Sequence, residues 1–131
     1  MVARPLVLLI DDDRSTRGGY AEFLESRGFR TVVAANASDA IARCREHAPD
    51  VVVTDIALLD QDGFDLAMVL RSQPGVGAVP ILGMTGFWET DVHERAARAG
   101  ITAILAKPCQ PEHLVAELQR VLKKAPAGPL A

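Results

Sequence analysis

Five short aliphatic runs alternate with five longer segments of helical period, and this alternation constrains the fold more than any other feature of the chain. The runs are LVLLI (6–10), TVVA (31–34), VVVT (51–54), PILGM (80–84) and AILA (103–106). The first intervening segment, 15–27, spaces Tyr20, Phe23, Leu24 and Arg27 three to four residues apart. Ala40, Ile41 and Cys44 form a stripe in 37–47, and Phe64, Ala67, Met68 and Leu70 wind around 64–72. Residues 88–99 are rich in Ala and Arg, and 111–124 align Leu114, Leu118, Val121 and Leu122. Runs of four or five apolar residues suit strands, and 3–4 spacing suits helices. Turn signals agree with these boundaries. Gly28 and Gly100 follow the first and fourth helical segments, where a left-handed cap favours glycine, and Pro49 follows the second. Asn36 or Ser38 can cap the second helix, and Pro111 can open the fifth. Five β-α units in series imply a parallel sheet with helices on both faces. The runs at 6–10 and 51–54 lack polar alternation, as strands covered on both sides should.

A chain of 131 residues is expected to form one domain here, spanning 5–124, with APAGPLA (125–131) as a flexible tail. The formal net charge of −3 carries no basic stripe, so nucleic acid is not an expected partner. Cys44 and Cys109 have neither metal-site spacing nor company enough for a disulfide framework, and read as reduced thiols of a cytoplasmic protein. No run has the form of a signal peptide or approaches the ~20 apolar residues of a membrane span.

The chemistry is concentrated where strands end. In open parallel sheets, ligands sit outside the carboxyl ends of the strands, where strand order reverses. Asp11, Asp12 and Asp13 follow the first run, Asp55 the third, Thr85 the fourth and Lys107 the fifth. The flavodoxin-like order 2-1-3-4-5 makes the first and third strands neighbours at about 4.8 Å. Asp55 then lies beside Asp11 and Asp12, Thr85 is one strand away, and Lys107 is within reach of its long stem. Several carboxylates in one crevice require a counter-charge. Mg²⁺, which takes oxygen ligands and keeps several waters, is the natural candidate. A carboxylate between a metal, a hydroxyl and an ammonium is also placed to attack phosphorus and form an aspartyl-phosphate.

With these residues in view, the chain resembles the receiver domains of two-component response regulators from residue 6 to about 124. Five features in receiver-like order carry the resemblance: LLIDDD, VVVTDIALLDQDGFDL, ILGMTG, AILAKP and the last amphipathic segment. The resemblance implies a doubly wound five-stranded fold of order 2-1-3-4-5 and a stand-alone receiver that acts as a signalling module rather than an enzyme. It implies Asp55 as phosphoacceptor, and Asp12, Asp55 and the main-chain carbonyl of Ala57 as Mg²⁺ ligands. Asp11 matches the acid that holds a metal-bound water, Thr85 the hydroxyl that contacts the phosphoryl group, and Lys107 the ammonium that pairs with it. The implied partners are a sensor histidine kinase or histidine phosphotransfer protein and a downstream protein, with the chain itself a monomer or weak homodimer. The Lys107–Pro108 peptide is expected to be cis, and Gly63 to provide a positive φ in the DQDG turn.

Other residues have plainer readings. Asp13 is expected to be a solvated loop residue or the cap of the first helix rather than a metal ligand, and Asp60 and Asp62 to shape a turn. His47, His93 and His113 lack metal spacing and read as surface residues, as do Arg95 and Arg98. The chain also departs from the receiver pattern. Leu59 stands where proline is frequent, so greater mobility of that loop is expected. Ile104 stands where many receivers carry the aromatic that swings inward, and Cys109 replaces a common aromatic. Without that ring, the loop GFWET (86–90), with Phe87 and Trp88, is the expected reporter of phosphorylation. Alternatives are a phosphate-relay intermediate, a non-phosphorylated pseudo-receiver scaffold, and a Mg²⁺-dependent phosphohydrolase built on Asp11-Asp12-Asp13. The last lacks a closing acidic motif, since the fifth strand ends in Lys-Pro.

Overall fold

The computed structural model describes residues 4–86 and 91–124. Ten elements follow one another: β1 (Leu6–Ile10), α1 (Arg14–Ser26), β2 (Arg30–Ala34), α2 (Ala37–His47), β3 (Val51–Asp55), α3 (Gly63–Arg71), β4 (Ile81–Thr85), α4 (Val92–Arg98), β5 (Ala103–Ala106) and α5 (Pro111–Lys124). The strands form one parallel sheet in the order β2-β1-β3-β4-β5. The parallel sheet is the one expected from the alternation, and its order is the flavodoxin-like one that the receiver resemblance implies.

The two-sided burial of the central strands explains their unbroken apolar runs. Leu8 and Ile10 of β1 face one core with α2, α3 and α4, where Ala40, Leu66, Leu70 and Ala96 pack. Val7 and Leu9 face the other core with α1 and α5, where Leu24, Leu114, Leu118 and Val121 pack. Every residue of β1, β3 and β4 is buried. A large aliphatic side chain moved fully out of water contributes about 1.5–3 kcal/mol. A polar residue at either parity of these strands would therefore forfeit burial on one face.

Caps set the helix boundaries. Asp13 accepts from the Thr16 N–H at 2.8 Å and opens α1. Asn36 accepts from the Asp39 N–H at 2.8 Å and opens α2, which identifies it over Ser38 as the capping residue. Asp62 accepts from the Phe64 N–H at 2.7 Å and opens α3. Gly28 and Gly100 have φ of 94° and 81°, as their positions after helices require.

Three expectations need correction or completion. Gly63 is not at positive φ; it belongs to the helical first turn of α3. It is glycine because a Cβ there would lie 2.5 Å from Ile56 Cα and 2.7 Å from the Asp55 carbonyl oxygen. The fourth helix begins at Val92 rather than 88, and the Phe87 and Trp88 assignments fall outside the described residues. Helix α2 ends with Ala48 at φ 47°, a left-handed cap without glycine.

Candidate functional site

The acidic crevice lies where β1 and β3 end side by side. Parallel pairing sets Ile10 against Thr54, so the residues that follow, Asp11 and Asp55, emerge together. Asp11 and Asp55 are buried and Asp12 is half-buried. Oxygen atoms of the three carboxylates lie within 4.8 Å of one another. From the far side, Lys107, the residue after β5, extends its Nζ to 3.0 Å from Asp55 Oδ2 and 3.5 Å from Asp11 Oδ2. Thr85 is the buried last residue of β4, and its carbonyl accepts from the Lys107 N–H at 2.9 Å. The Ala57 N–H donates to Asp55 Oδ1 at 3.1 Å, which brings the start of the β3–α3 loop against the acids. The structure thus brings Asp11, Asp12, Asp55 and Lys107 together at the carboxyl end of the sheet, with Thr85 and Ala57 beside them.

The electrostatics are those of a site short of positive charge. Burial pushes the Asp11 carboxyl above the usual carboxylate range, against the opposing pull of the Asp13 N–H and Lys107. Burial also works to lower the Lys107 pKa, but the hydrogen bond and attraction from Asp55, reinforced by Asp11, outweigh it and raise the ammonium above its ordinary value. Three carboxylates and one ammonium leave two negative charges when all are ionised. A divalent cation matches that deficit, and an all-oxygen donor set suits a hard ion.

Asp13, the third acid of the run, is exposed and engaged in capping α1; the two hydrogen bonds from Thr16 hold its carboxyl below the usual range. Three residues read from the sequence as turn formers or surface charges are structural ties of the site. The Asp60 carboxylate accepts from the Ala37 N–H at 3.1 Å, fastening the β3–α3 loop to the start of α2. A carboxylate at a helix N-terminus is also favoured by the helix dipole. The loop that has Leu59 in place of proline is therefore anchored by its neighbour, while Leu59 itself is 91% exposed. Asp62 pairs with Arg95 of α4 at 3.4 Å, and the Arg95 guanidinium stacks 4.4 Å over the Phe64 ring. These residues border a cleft of about 180 Å³ lined also by Ala57, Thr85 and Asp91. Sequence spacing contains no signal for ties of this kind, because each joins elements more than twenty residues apart.

Comparison with known proteins decides the family. Residues 7–119 match the response regulator receiver domain. The chain belongs to the response regulator receiver domain family. The receiver is 31% identical over 114 residues to an uncharacterized 14.6 kDa protein of Leptolyngbya boryana, covering 87% of each chain. It is 30% identical to the response regulator Rre1 of a Synechocystis strain, covering 97% of this chain and 56% of that one. It therefore spans little more than half the length of that regulator. Among solved structures, the chemotaxis protein CheY4 of Vibrio cholerae superposes with a TM-score of 0.87 at 30% identity, over 91% of this chain and 99% of the other. Receivers are signalling modules of two-component systems. Among the described residues, no helix is long and apolar enough to cross a membrane.

Proposed function

We propose that this receiver accepts a phosphoryl group on Asp55 in a Mg²⁺-dependent reaction and signals through the altered protein surface. The supporting observation is the placement of the Asp55 carboxylate, 3.0 Å from the Lys107 ammonium and grouped with Asp11 and Asp12. Asp12, Asp55 and the Ala57 carbonyl would hold the ion directly, and Asp11 would hold one of its waters. Bound there, Mg²⁺ supplies positive charge to the oxygens of the transferring group.

The chain's own residues account for the remaining roles. An Asp55 carboxylate oxygen attacks phosphorus of a phosphohistidine; the P–O bond forms as the P–N bond breaks, and the imidazole leaves with a proton. Lys107 pairs with the phosphoryl oxygens, exchanging its contact with the free carboxylate for one with the product. Thr85 offers its hydroxyl to the same group from the end of β4. The donor is a sensor histidine kinase or histidine phosphotransfer protein of the cytoplasm, and the output is a change in binding to a downstream protein. The exposed Leu59 of the β3–α3 loop and the cleft lined by Ala57, Thr85 and Arg95 would sense the change.

Incubation with acetyl phosphate and Mg²⁺ followed by mass spectrometry tests the assignment. The parent should gain one phosphoryl group, Asp55→Asn none, and Asp12→Ala should require much more Mg²⁺. Labelling of Asp55→Asn at the parent rate would remove Asp55 as acceptor. No labelling of the parent would favour a pseudo-receiver, and sustained hydrolysis of a phosphate monoester such as p-nitrophenyl phosphate would favour the phosphohydrolase.

A further inference from the structure

Helix α1 carries a phenol hydroxyl with a partner far away in sequence. Tyr20 is 8% exposed and packs in the core among Leu24, Leu105, Cys109 and Leu114. Packing alone asks only for an apolar ring, whereas a buried hydroxyl needs a hydrogen-bond partner. Tyr20 Oη donates to the Cys109 carbonyl at 2.6 Å, across 89 residues of sequence. Cys109 lies between β5 and α5, two residues beyond Lys107. On the other side, the Lys107 N–H is held by the Thr85 carbonyl at 2.9 Å. The main chain that carries the ammonium is thus pinned before and after the lysine.

We propose that Tyr20 is a positioning residue for Lys107, its hydroxyl fixing the segment from which the ammonium reaches the phosphoacceptor. This rests on Lys107 pairing with the phosphoryl group as described above. A lysine stem has many rotamers, and holding its main chain reduces the number of arrangements that must be searched to place Nζ. The same helix also serves the acidic side of the site. Arg17, three residues before Tyr20 and so on the same face, donates from Nη1 to the Asp11 carbonyl at 2.8 Å. Helix α1 therefore holds the main chain beneath the acids and the main chain beneath the ammonium, and sets their separation. Burial raises the phenol pKa above its ordinary value, so the hydroxyl stays protonated and donating at neutral pH.

The test is a double-mutant cycle of Tyr20→Phe and Lys107→Ala, read as the rate of Asp55 labelling by phosphoramidate at saturating Mg²⁺, with the Mg²⁺ midpoint and melting temperature measured alongside. Tyr20→Phe should slow labelling about five-fold, the effect of one lost hydrogen bond, and leave the Mg²⁺ midpoint unchanged. In the Lys107→Ala background it should cause no further loss, because residues acting through one another are not additive. The chain has a single tyrosine, so biosynthetic replacement by 3-fluorotyrosine perturbs this hydroxyl alone while preserving the ring. It provides the same cycle if the Phe variant does not fold: the rate should change with Lys107 present and not in the Lys107→Ala background. An unchanged rate in the otherwise parental chain, or an equal change in both backgrounds, would overturn the positioning role while leaving Asp55 as acceptor. Absence of labelling in the parent would instead overturn the acceptor assignment, and the positioning role with it.

Discussion

Gly63→Ala should destabilise the receiver and disturb its site, although the same substitution elsewhere in the chain should stabilise it. In a helix, alanine is favoured over glycine by about 0.5–1 kcal/mol. At position 63 the new methyl would sit 2.5 Å from Ile56 Cα, 2.7 Å from the Asp55 carbonyl oxygen and 2.9 Å from the Ile56 carbonyl oxygen. All three are main-chain atoms of the segment that carries Asp55, so no side chain can rotate away. Overpacking costs about 1–3 kcal/mol, and a clash with backbone on one side belongs at the upper end. The net loss is about 2 kcal/mol, or roughly 6–10 °C in melting temperature for a domain of this size. Gly18 and Gly19 lie in the exposed middle of α1, where a Cβ would meet nothing within 4 Å beyond the adjacent residues and the helix's own backbone. Alanine at either should contribute about 0.5–1 kcal/mol of stability. Urea unfolding of the three variants, with acetyl phosphate labelling in parallel, is the assay. A Gly63→Ala variant that unfolds at the parent midpoint and labels at the parent rate would refute the close-approach explanation. So would destabilisation of similar size at all three positions.

Asp60→Ala should remove the tie from the β3–α3 loop to the start of α2 and cost about 1 kcal/mol, with faster amide hydrogen exchange at Ala37 and Ser38; unchanged exchange there would contradict the tie. Arg71→Met should cost about 3 kcal/mol in urea unfolding, because the guanidinium donates to the carbonyls of Gly100, Val76, Gly77 and Val79. The Asp13 carboxyl is held below its unfolded value of 3.8 by Thr16, so its contribution is present above that pH and is lost as pH falls through the folded value. Melting curves should accordingly show Asp13→Ala less stable than the parent at neutral pH, with the gap closing below pH 3.8.

The elements most legible in the sequence were those specified by burial. Runs covered on both faces are mainly apolar, so β1 and β3 stand out; the β-α alternation implies the parallel sheet, and the strand order is what the receiver resemblance implies. The grouping of the candidate site was legible for the same reason: Asp11, Asp55, Thr85 and Lys107 are the first chemically distinctive residues at the ends of apolar runs. Boundaries were less legible. β3 and β4 extend through Asp55 and Thr85, one residue further than the aliphatic pattern, because ladder hydrogen bonds continue after hydrophobicity stops. Gly63 illustrates a different limit. Glycine can mean a positive φ or a close approach, and only the position of Ile56 distinguishes them.

The ties across the site were not legible at all, and they bear on how a signal could leave it. Ile104 is partly buried and packs against the core of the α2, α3 and α4 face. A β-branched side chain held there is stiff and has no polar end to draw it outward. A swinging ring at that position is therefore not available to this receiver. Arg95 supplies a different connection, from α4 to the end of the β3–α3 loop through the Asp62 carboxylate and the Phe64 ring. An exposed ion pair alone is worth little, but cation–π stacking on the same guanidinium adds attraction that does not depend on the carboxylate. The two contacts hold α4 to α3 at the cleft that Thr85 and Ala57 also line. We propose that a change of charge at Asp55 reaches α4 through these two contacts. The start of α3 is thus tied to α4 at the cleft, in addition to the packing of α4 against β5.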